Sequence, residues 1–367
     1  LTSSDKQLLV KPWRSYMSGY PFLTLTGTAR ERGYQYGSQV PELIKKNIAF
    51  YRTMFEGFGV PWETAGKISK KFEPFIRDYY PEALEEISGV AEGANLSYED
   101  ILTINCRSEI LFAKPDGCTT FGILPEQSCD GHTYLGQTWD WLKPARDTTV
   151  ILEVHVEGQP KILIAVEAGI IGGKGLNSEG VGVCLNALST GKGGLGVPLH
   201  ILYRAILAQT NTSNALEAVT QPQRAGCGNF AIGSAQGFLM CVEYTPENFD
   251  VLMPIDKPMC HTNHYLSPLF RPQDTFKRDL TETFVRLNRL ERLAYGLKRP
   301  FTQKDMWGIL SDHANYPDSI CSHQDPKDPV TRRFCTIYTL VMDLNERTFC
   351  ITEGEPCDQK ISSYVLK

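Results

Sequence analysis

One cysteine follows a group of chain-breaking residues and is the first candidate for chemistry. Residues 115–120 read Pro-Asp-Gly-Cys-Thr-Thr, which predicts an exposed turn directly before Cys118 and a strand beginning near it. Glycine at position 117 allows a strained turn in which the Cys118 sulfur approaches the carbonyl carbon of Gly117. An N-to-S acyl shift followed by hydrolysis would then break the Gly117–Cys118 bond and free the α-amine of Cys118.

The freed amine would give Cys118 a base within the same residue. Its pKa would be about 7.7–8.0, so a useful fraction is unprotonated near neutral pH. Nucleophile and base would be combined as they are in enzymes with an N-terminal threonine. The segment is also compatible with a cysteine that only packs, because most cysteines behave as small hydrophobic residues.

A second group of polar residues lies near the ends of predicted strands: Asp140, Asn177, Asn186, Asn263 and Arg333. A carboxylate can orient an amine, an amide can donate to an oxyanion, and a cation favours a thiolate. Each residue alone is typical of a surface or turn position. The group carries chemistry only if the fold brings its members together.

Two further motifs point to other functions. Residues 191–196 read Gly-Lys-Gly-Gly-Leu-Gly, the Gly-x-Gly-x-x-Gly pattern of a dinucleotide-binding turn. Pro198 and the lack of a following parallel strand favour a flexible loop or a turn beside the substrate. His261 and His264 have a spacing that a metal pair could use, but flanking prolines argue against a shared helical face and no third ligand is evident. We therefore predict neither a cofactor nor a metal site.

Composition excludes several classes of protein. The net charge of -5 and the lack of a Lys/Arg cluster argue against nucleic-acid binding. The longest apolar stretch, residues 161–172, is too short to span a membrane and contains two charged residues. Eleven cysteines without Cys-x-x-Cys spacing predict reduced thiols in a cytoplasmic protein. The final Val-Leu-Lys is not the peroxisomal Ser-Lys-Leu signal.

The elements that would position these residues fall into blocks. Apolar periodicity predicts helices before Cys118, strands after it, and a mixture of both towards the end. The predicted helices are 30–58, 63–80, 82–94, 97–113, 199–207, 214–220 and 280–295. The predicted strands are 119–124, 133–137, 149–156, 161–166, 181–185, 230–233, 238–244, 336–343 and 348–352. Strands in runs and helices in blocks indicate an α+β fold rather than a parallel βαβ array.

Several segments, taken in order, resemble the isopenicillin N acyltransferase family, the self-processing acyl-coenzyme A:6-aminopenicillanic acid acyltransferases and their relatives. The segments are Arg-Gly-Tyr-Gln-Tyr-Gly at 32–37, Glu-Glu-Ile-Ser-Gly-Val-Ala-Glu-Gly at 85–93, Asp-Gly-Cys-Thr-Thr at 116–120, Gly-Gln-Thr-Trp-Asp at 136–140, Glu-Ala-Gly-Ile-Ile-Gly at 167–172, Leu-Asn-Ser-Glu-Gly-Val at 176–181, His-Thr-Asn-His at 261–264 and Asn-Tyr-Pro-Asp-Ser-Ile-Cys at 315–321. Their order is more specific than any one of them.

The resemblance implies a four-layer αββα N-terminal-nucleophile hydrolase fold. It also implies cleavage into an α chain (1–117) and a β chain (118–367) that stay together as partners. Cys118 would be the nucleophile, Asp140 would hold its new amine, and Asn263 would donate to the oxyanion. The family's late catalytic arginine is best matched by Arg333, with Arg332 as the alternative register.

Four residues near these positions are predicted substrate contacts: Thr119, Thr138, Trp139 and Asn177. Thr138 stands where the penicillin-forming enzymes have Asn, so local substrate contacts would differ from theirs. The predicted function is hydrolysis of a small N-acyl amide through an acyl-cysteine intermediate. The alternative is N-acyl transfer with an acyl-coenzyme A thioester as co-substrate. A non-catalytic, uncleaved binding protein is the alternative from another class.

Overall fold

The computed structural model describes residues 19–111, 117–296, 300–358 and 360–367. The predicted turn at 115–116, the predicted helix end near 113 and the first 18 residues lie outside these ranges. Within them, no helix has both the length and the apolar character needed to cross a membrane.

The described part of the chain before Cys118 is almost entirely helical. Pro41 divides the first predicted helix in two, because proline suits the first turn of a helix but not its interior. The helices are α1 (Ala29–Gln39), α2 (Pro41–Gly57), α3 (Trp62–Ser69), α4 (Glu73–Tyr79), α5 (Glu82–Ala94), α6 (Tyr98–Asn105) and α7 (Arg107–Ile110).

Glycines let helices α1 and α5 pack backbone to backbone. A Cβ placed on Gly89 would lie only 2.2 Å from the carbonyl oxygen of Arg30. Beside this contact the buried Glu86 carboxylate accepts hydrogen bonds from the guanidinium groups of Arg32 and Arg204. The close approach therefore keeps a buried group of charges paired, and unpairing any of them would be strongly destabilising.

Gly89→Ala tests this contact. We expect the variant to lose about 3 kcal/mol of unfolding free energy, because the added methyl group forces the two backbones apart. Gly308→Ala is the matched control, since Gly308 is also helical but a Cβ there meets no atom within 4 Å. Urea unfolding would measure both midpoints, and equal midpoints for the two variants would contradict the expectation.

The strands, numbered in chain order, form two sheets, and all but β1 come after the N-terminal helices. The eight-stranded first sheet has the order β1-β4-β5-β6-β7-β8-β9-β10, and β1 runs parallel to β4 while the other neighbours are antiparallel. Its strands are β1 (Phe22–Leu25), β4 (Thr149–Val154), β5 (Ile162–Glu167), β6 (Lys174–Asn177), β7 (Val181–Ala187), β8 (Gly228–Ser234), β9 (Phe238–Tyr244) and β10 (Phe249–Leu252).

The six-stranded second sheet is antiparallel and has the order β11-β2-β3-β12-β13-β14. Its strands are β2 (Gly117–Ile123), β3 (Tyr134–Leu142), β11 (Met259–His261), β12 (Phe334–Asp343), β13 (Thr348–Thr352) and β14 (Ile361–Val365). The strand predicted to end at 137 thus continues to Leu142. Asp140 consequently lies within a strand instead of at its end.

Helices cover both outer faces, which makes four layers. Helices α8 (Leu199–Leu207) and α9 (Thr212–Thr220) pack on the first sheet together with the N-terminal helices. After the short α10 (Phe276–Asp279), helices α11 (Glu282–Gly296) and α12 (Gln303–Leu310) pack on the second sheet. Strand β7 contacts β2 and β3 across the interface between the sheets. The predicted α+β, αββα architecture is confirmed.

Strand β2 separates two different environments. The Thr120 hydroxyl donates to Asn186 Oδ1 on the first sheet, whereas the Phe121 ring meets Phe301 on the helical side at a centroid distance of 6.1 Å. Side chains alternate along a strand, so Cys118 faces the first sheet and Thr119 faces helix α11.

Candidate active site

Cys118 is the second residue of β2, and only 1% of its surface is exposed. It pairs with Trp139 across β3, and Gly117 pairs with Asp140. Gly117 is therefore a buried strand residue, which corrects the prediction that it belongs to an exposed turn. The extra pairing arises because β3 continues past its predicted end.

Asn263 and Arg286 hold the main chain of Cys118. The Cys118 N–H donates to Asn263 Oδ1 at 2.8 Å, and Arg286 donates to the Cys118 carbonyl at 2.8 Å and to Asn263 Oδ1 at 3.0 Å. Because both neighbours of Oδ1 are donors, the network fixes which end of the Asn263 amide faces Cys118. Asn263 presents its oxygen to the Cys118 nitrogen, and its Nδ2 donates to the Ala187 carbonyl at 3.2 Å.

Buried hydrogen bonds hold Asn263 in turn. Its N–H donates to Thr283 Oγ1 on α11 at 2.8 Å, and His261 Nε2 lies 2.8 Å from Glu243 Oε1. His264 Nδ1 lies 3.0 Å from Thr283 Oγ1, and burial lowers the pKa of His264 to about 4. The two histidines thus have separate protein partners and help to position Asn263.

The Asp140 carboxylate lies against Gly117. A Cβ on Gly117 would be 2.8 Å from the Cβ of Asp140 and 3.2 Å from its Oδ2, so any side chain at 117 would collide with Asp140. Oδ1 accepts a 2.7 Å hydrogen bond from Thr336 Oγ1, which itself accepts from the Ser322 N–H. Glycine at 117 is required by this packing, and the carboxylate stands where it could orient an ammonium group at residue 118.

The thiol of Cys118 lies on the opposite face of strand β2 from the Asp140 carboxylate, among aromatic rings between the two sheets. Burial raises the pKa of Tyr203 and Tyr338, and the nearby Cys118 raises both further. Lys174 Nζ stands 4.4 Å from the ring centroid of Trp139, the strand partner of Cys118. Two of these rings, Trp139 and Tyr203, border a cavity whose lining also includes Trp141, Lys174, His200 and Tyr244.

Two residues that line this cavity carry buried polar atoms without a partner among the described residues. Burial lowers the pKa of His200 well below its usual value, so the ring is neutral, and its Nδ1 lies 2.7 Å from the Gly172 carbonyl. The proton therefore sits on Nδ1, which leaves Nε2 as an unpaired acceptor. The indole N–H of Trp141 is an unpaired donor. Together with the Lys174 ammonium, they can bind the polar end of a mainly apolar ligand.

Glu109 also lines this cavity, and burial raises its pKa from 4.5 to about 7. Its Oε1 accepts from the Leu199 N–H at 2.7 Å, while Oε2 is buried and unpaired among the described residues. The native state therefore holds the Glu109 proton more tightly than the unfolded state does. That contribution to stability is complete below pH 4.5 and is lost as the pH rises towards 7.

We expect Glu109→Gln to be more stable than the wild type above pH 7, by up to about 3 kcal/mol, and to lose this advantage below pH 4.5. Urea unfolding at pH 4 and pH 8 would measure the difference. The exposed Glu126→Gln is the control for removing a carboxylate. An advantage of Glu109→Gln that is the same at both pH values would show that ionisation of Glu109 is not its cause.

Arg333 is not part of this group of contacts. Its guanidinium donates to the carbonyl oxygens of Asp328 at 2.8 Å and Pro326 at 2.9 Å, in the loop before β12. Arg332, the alternative, is exposed. The guanidinium bonded to Cys118 belongs to Arg286, so Arg286 is a second candidate for the site arginine beside the predicted Arg333. An arginine in a loop near the start of a strand bonds the carbonyl oxygens closest to it. Arg286 instead lies on the buried face of its helix, which directs its side chain to Cys118.

The predicted substrate contacts lie in different places. Trp139 lines the cavity. Thr119 Oγ1 accepts from Arg286 on the helical side, and Thr138, its strand partner, is buried on that same face. Asn177 is fully bonded within its own turn and to the end of α8, so its amide has no capacity left for a ligand. Of the four residues, Trp139 is the one that lines this cavity.

Arg286 was missed although the sequence carries a signal for it. The buried residues of α11 are Thr283, Arg286, Leu287, Leu290 and Ala294, which follow the three–four spacing of a buried helical stripe. An arginine on such a stripe must have a buried partner. The sequence cannot show that the partner is the main chain of Cys118.

The glycine-rich loop at 191–196 does not form a dinucleotide site of the βαβ type. It joins β7 to α8, and the chain returns through α9 to β8, which is antiparallel to β7. The Gly194 N–H donates to the Ala225 carbonyl at 2.9 Å. A phosphate-binding turn of this type connects parallel strands, whereas this segment belongs to a connection between antiparallel strands. The segment is therefore a loop, as the sequence predicted.

Comparison with known proteins decides the family. A sequence model described as acyl-coenzyme A:6-aminopenicillanic acid acyl-transferase matches residues 126–358, which is more than half of the chain. The chain belongs to this family. It is accordingly an enzyme of the class that hydrolyses amides or transfers acyl groups. The matched segment begins after Cys118 and therefore does not include the predicted nucleophile.

Two relatives match this chain over more than nine-tenths of its length and of their own. The acyl-coenzyme A:6-aminopenicillanic-acid-acyltransferase 40 kDa form of Emericella nidulans is 29% identical over 342 residues, covering 91% of this chain and 92% of that protein. The beta-alanyl-dopamine/carcinine hydrolase of Drosophila melanogaster is 22% identical over 381 residues, covering 92% and 94%.

Solved structures with similar chains include an amidase and a hydrolase. The Caenorhabditis elegans ortholog of N-acylethanolamine-hydrolyzing acid amidase has a TM-score of 0.45 and 14% identity, covering 68% of this chain and 100% of that chain. A variant of conjugated bile acid hydrolase from Clostridium perfringens has a TM-score of 0.48 and 12% identity, covering 68% and 97%. Because both scores lie below 0.5, the fold assignment depends on the sheet order and layers of the chain itself.

Proposed function

We propose that this chain breaks its own Gly117–Cys118 bond and then uses Cys118 as an N-terminal nucleophile to hydrolyse a small N-acyl amide. The observation that carries the proposal is the setting of the Cys118 nitrogen, which lies 2.8 Å from Asn263 Oδ1, while the Asp140 carboxylate lies against the adjacent Gly117. Both oxygens would hold an ammonium group in place once the bond is broken. Residues 1–117 and 118–367 would stay together in one αββα domain.

Self-cleavage would begin at the Cys118 thiol. Its sulfur attacks the Gly117 carbonyl carbon, the C–N bond breaks, and the proton lost by the thiol passes to the departing nitrogen, which becomes the α-amine. Water then hydrolyses the thioester, which leaves a carboxylate on Gly117 and restores the thiol. The steps need no group beyond the chain and water.

In turnover, the amine would take the proton of the thiol, whose pKa without perturbation is about 8.5. The thiolate then attacks the amide carbonyl of the substrate, the amine product leaves with the proton, and water releases the acyl group from the sulfur. Asp140 and Asn263 Oδ1 would orient the amine. The second hydrogen of Asn263 Nδ2 remains for the oxyanion, and a preorganised donor of this kind contributes about 3–4 kcal/mol.

The acyl acceptor distinguishes two versions of this function. A hydrolase passes the acyl group to water, and the Drosophila relative is named a hydrolase. A transferase passes the group from an acyl-coenzyme A thioester to an amine, and the Emericella relative is named an acyltransferase. The chain uses Cys118 in both versions. Whether it hydrolyses or transfers therefore depends on whether water or an amine reaches the acyl group bound to the Cys118 sulfur. No further cofactor is proposed.

Intact-mass measurement of the purified protein, followed over time at pH 7–8, tests the proposal. We expect two fragments, one of which begins Cys118-Thr119-Thr120. A panel of N-acyl amides, with and without an acyl-coenzyme A and an amine, then separates hydrolysis from transfer. A single uncut chain without activity on either panel would support the non-catalytic alternative instead.

A further inference from the structure

Four side chains that commonly bind metals converge outside the proposed active site. They are His313, Cys321, His323 and Cys357, and one ligand atom from each lies within 4.8 Å of all the others. His323 Nε2 is 3.1 Å from His313 Nε2, 3.5 Å from Cys321 Sγ and 3.6 Å from Cys357 Sγ. Both cysteines are free thiols.

Hydrogen bonding does not account for this convergence. An imidazole nitrogen carries either one hydrogen or one lone pair, so it can make one good hydrogen bond. Three atoms nevertheless surround the Nε2 of His323 at contact distance. Such an arrangement fits four ligands that point at one common centre.

We propose that His313, Cys321, His323 and Cys357 form a structural zinc site. A tetrahedral zinc with bonds of about 2.0–2.3 Å holds its ligand atoms about 3.3–3.8 Å apart. The distances of 3.5 Å and 3.6 Å from His323 Nε2 to the two sulfur atoms lie in this range, and the 3.1 Å distance to His313 Nε2 is slightly shorter. Two thiolates with two imidazoles in a tetrahedron are a typical zinc set. Four protein ligands leave no open position for a substrate or water, which indicates a structural role. His313 and Cys357 are exposed, so the metal has a path of entry.

The site would tie the loop after α12 to the C-terminal segment and to the sheet beneath it. Cys321 is followed by Ser322, which exchanges two hydrogen bonds with Thr336, and Thr336 donates to Asp140. The residue before His313, Asp312, accepts two hydrogen bonds from Arg289 on α11. The zinc would therefore position the loop that supports Asp140 without touching the reacting atoms.

The sequence alone predicts no metal site, because the ligands are spread over residues 313–357 and come from two separate segments. Their spacing matches no Cys-x-x-Cys pattern. The only histidine pair that the spacing favoured, His261 and His264, has other partners.

Elemental analysis of the full-length protein, purified without chelator, tests the site independently of activity. We expect about one zinc per chain in the wild type and less than about a tenth of that in Cys321→Ser/Cys357→Ser. Cys129→Ser, which removes an exposed cysteine elsewhere, is the matched control and should keep its zinc. Because the double variant could fail to fold, His313→Asn provides a second test: the exposed ligand is replaced, and zinc affinity should fall about tenfold or more.

Cobalt gives a spectroscopic readout of the same site. Protein stripped of metal and loaded with Co²⁺ should show the intense visible absorption of tetrahedral cobalt and a thiolate charge-transfer band, and both should be absent from the double variant. The proposal is overturned if the wild type binds no zinc as purified or after incubation with it. Equal zinc in the wild type and the double variant, or a peptide in which a disulfide links Cys321 to Cys357, would overturn it as well.

Discussion

Cys118→Ala is expected to remain a single chain of 367 residues and to show no turnover, while the wild type is converted to two fragments. Both proposed reactions begin with the sulfur of this residue, and no described side chain stands in for it. Loss of the nucleophile in an enzyme of this type lowers the rate by at least about 10⁴-fold. Intact mass over time and initial rates on the best amide of the panel would measure the two losses separately.

Cys350→Ala is the matched control for this variant. Cys350 is a second buried cysteine of the same sheet, on β13, and its thiol contacts Ser363 instead of the proposed site. It should be cleaved and remain active. Cys118→Ala appearing as two fragments of the predicted sizes would refute self-cleavage by Cys118, and equal loss of activity in both variants would point to a general packing effect.

Arg286→Gln is expected to lower kcat about 100-fold or more and to destabilise the fold by about 3–5 kcal/mol. The guanidinium donates to the Cys118 carbonyl, to Thr119 Oγ1 and to Asn263 Oδ1, all of them buried. The shorter glutamine cannot reach all three acceptors. Arg286 acts through Cys118 and Asn263, so it is a positioning residue, and KM should change much less than kcat.

Arg333→Gln is the control that separates the two arginines. Its guanidinium bonds only loop carbonyl oxygens among its described partners, so kcat should stay within about threefold of the wild type. Arg286→Lys should recover part of the activity, since the charge is kept while the forked geometry is lost. A large loss in Arg333→Gln together with an active Arg286→Gln would return the catalytic role to Arg333.

The sequence predicts elements well where local signals determine them. Glu82–Ala94, Leu199–Leu207, Phe238–Tyr244 and Thr348–Thr352 have their predicted bounds, because apolar periodicity and flanking breakers act within a few residues. The short strands Phe22–Leu25, Lys174–Asn177, Phe249–Leu252, Met259–His261 and Ile361–Val365 were not predicted. Three to five residues give too little periodicity, and pairing with distant partners decides their conformation.

The residues of the candidate site also differ in how far local sequence signals predict them. Cys118, Asp140 and Asn263 carry recognisable local sequence around them, and the structure brings all three to the start of β2. Arg286 has only the buried stripe of its helix as a signal, and the proposed zinc ligands have no pattern at all. Their roles depend on which side chain meets which across many residues of sequence, and this information appears only once the layers are packed.

The small parallel strand Phe22–Leu25 has a consequence for what the protein becomes after the proposed cleavage. It pairs with Thr149–Val154, and the Tyr20 hydroxyl reaches the Ile337 carbonyl on the other sheet, so the N-terminal fragment is woven into both sheets. The mature protein would be a single folded unit made of two fragments that do not dissociate. Separating its pieces would require unfolding it, and refolding would become a second-order encounter of two chains. Dilution, which leaves the intact precursor unaffected, would then slow recovery of the mature enzyme.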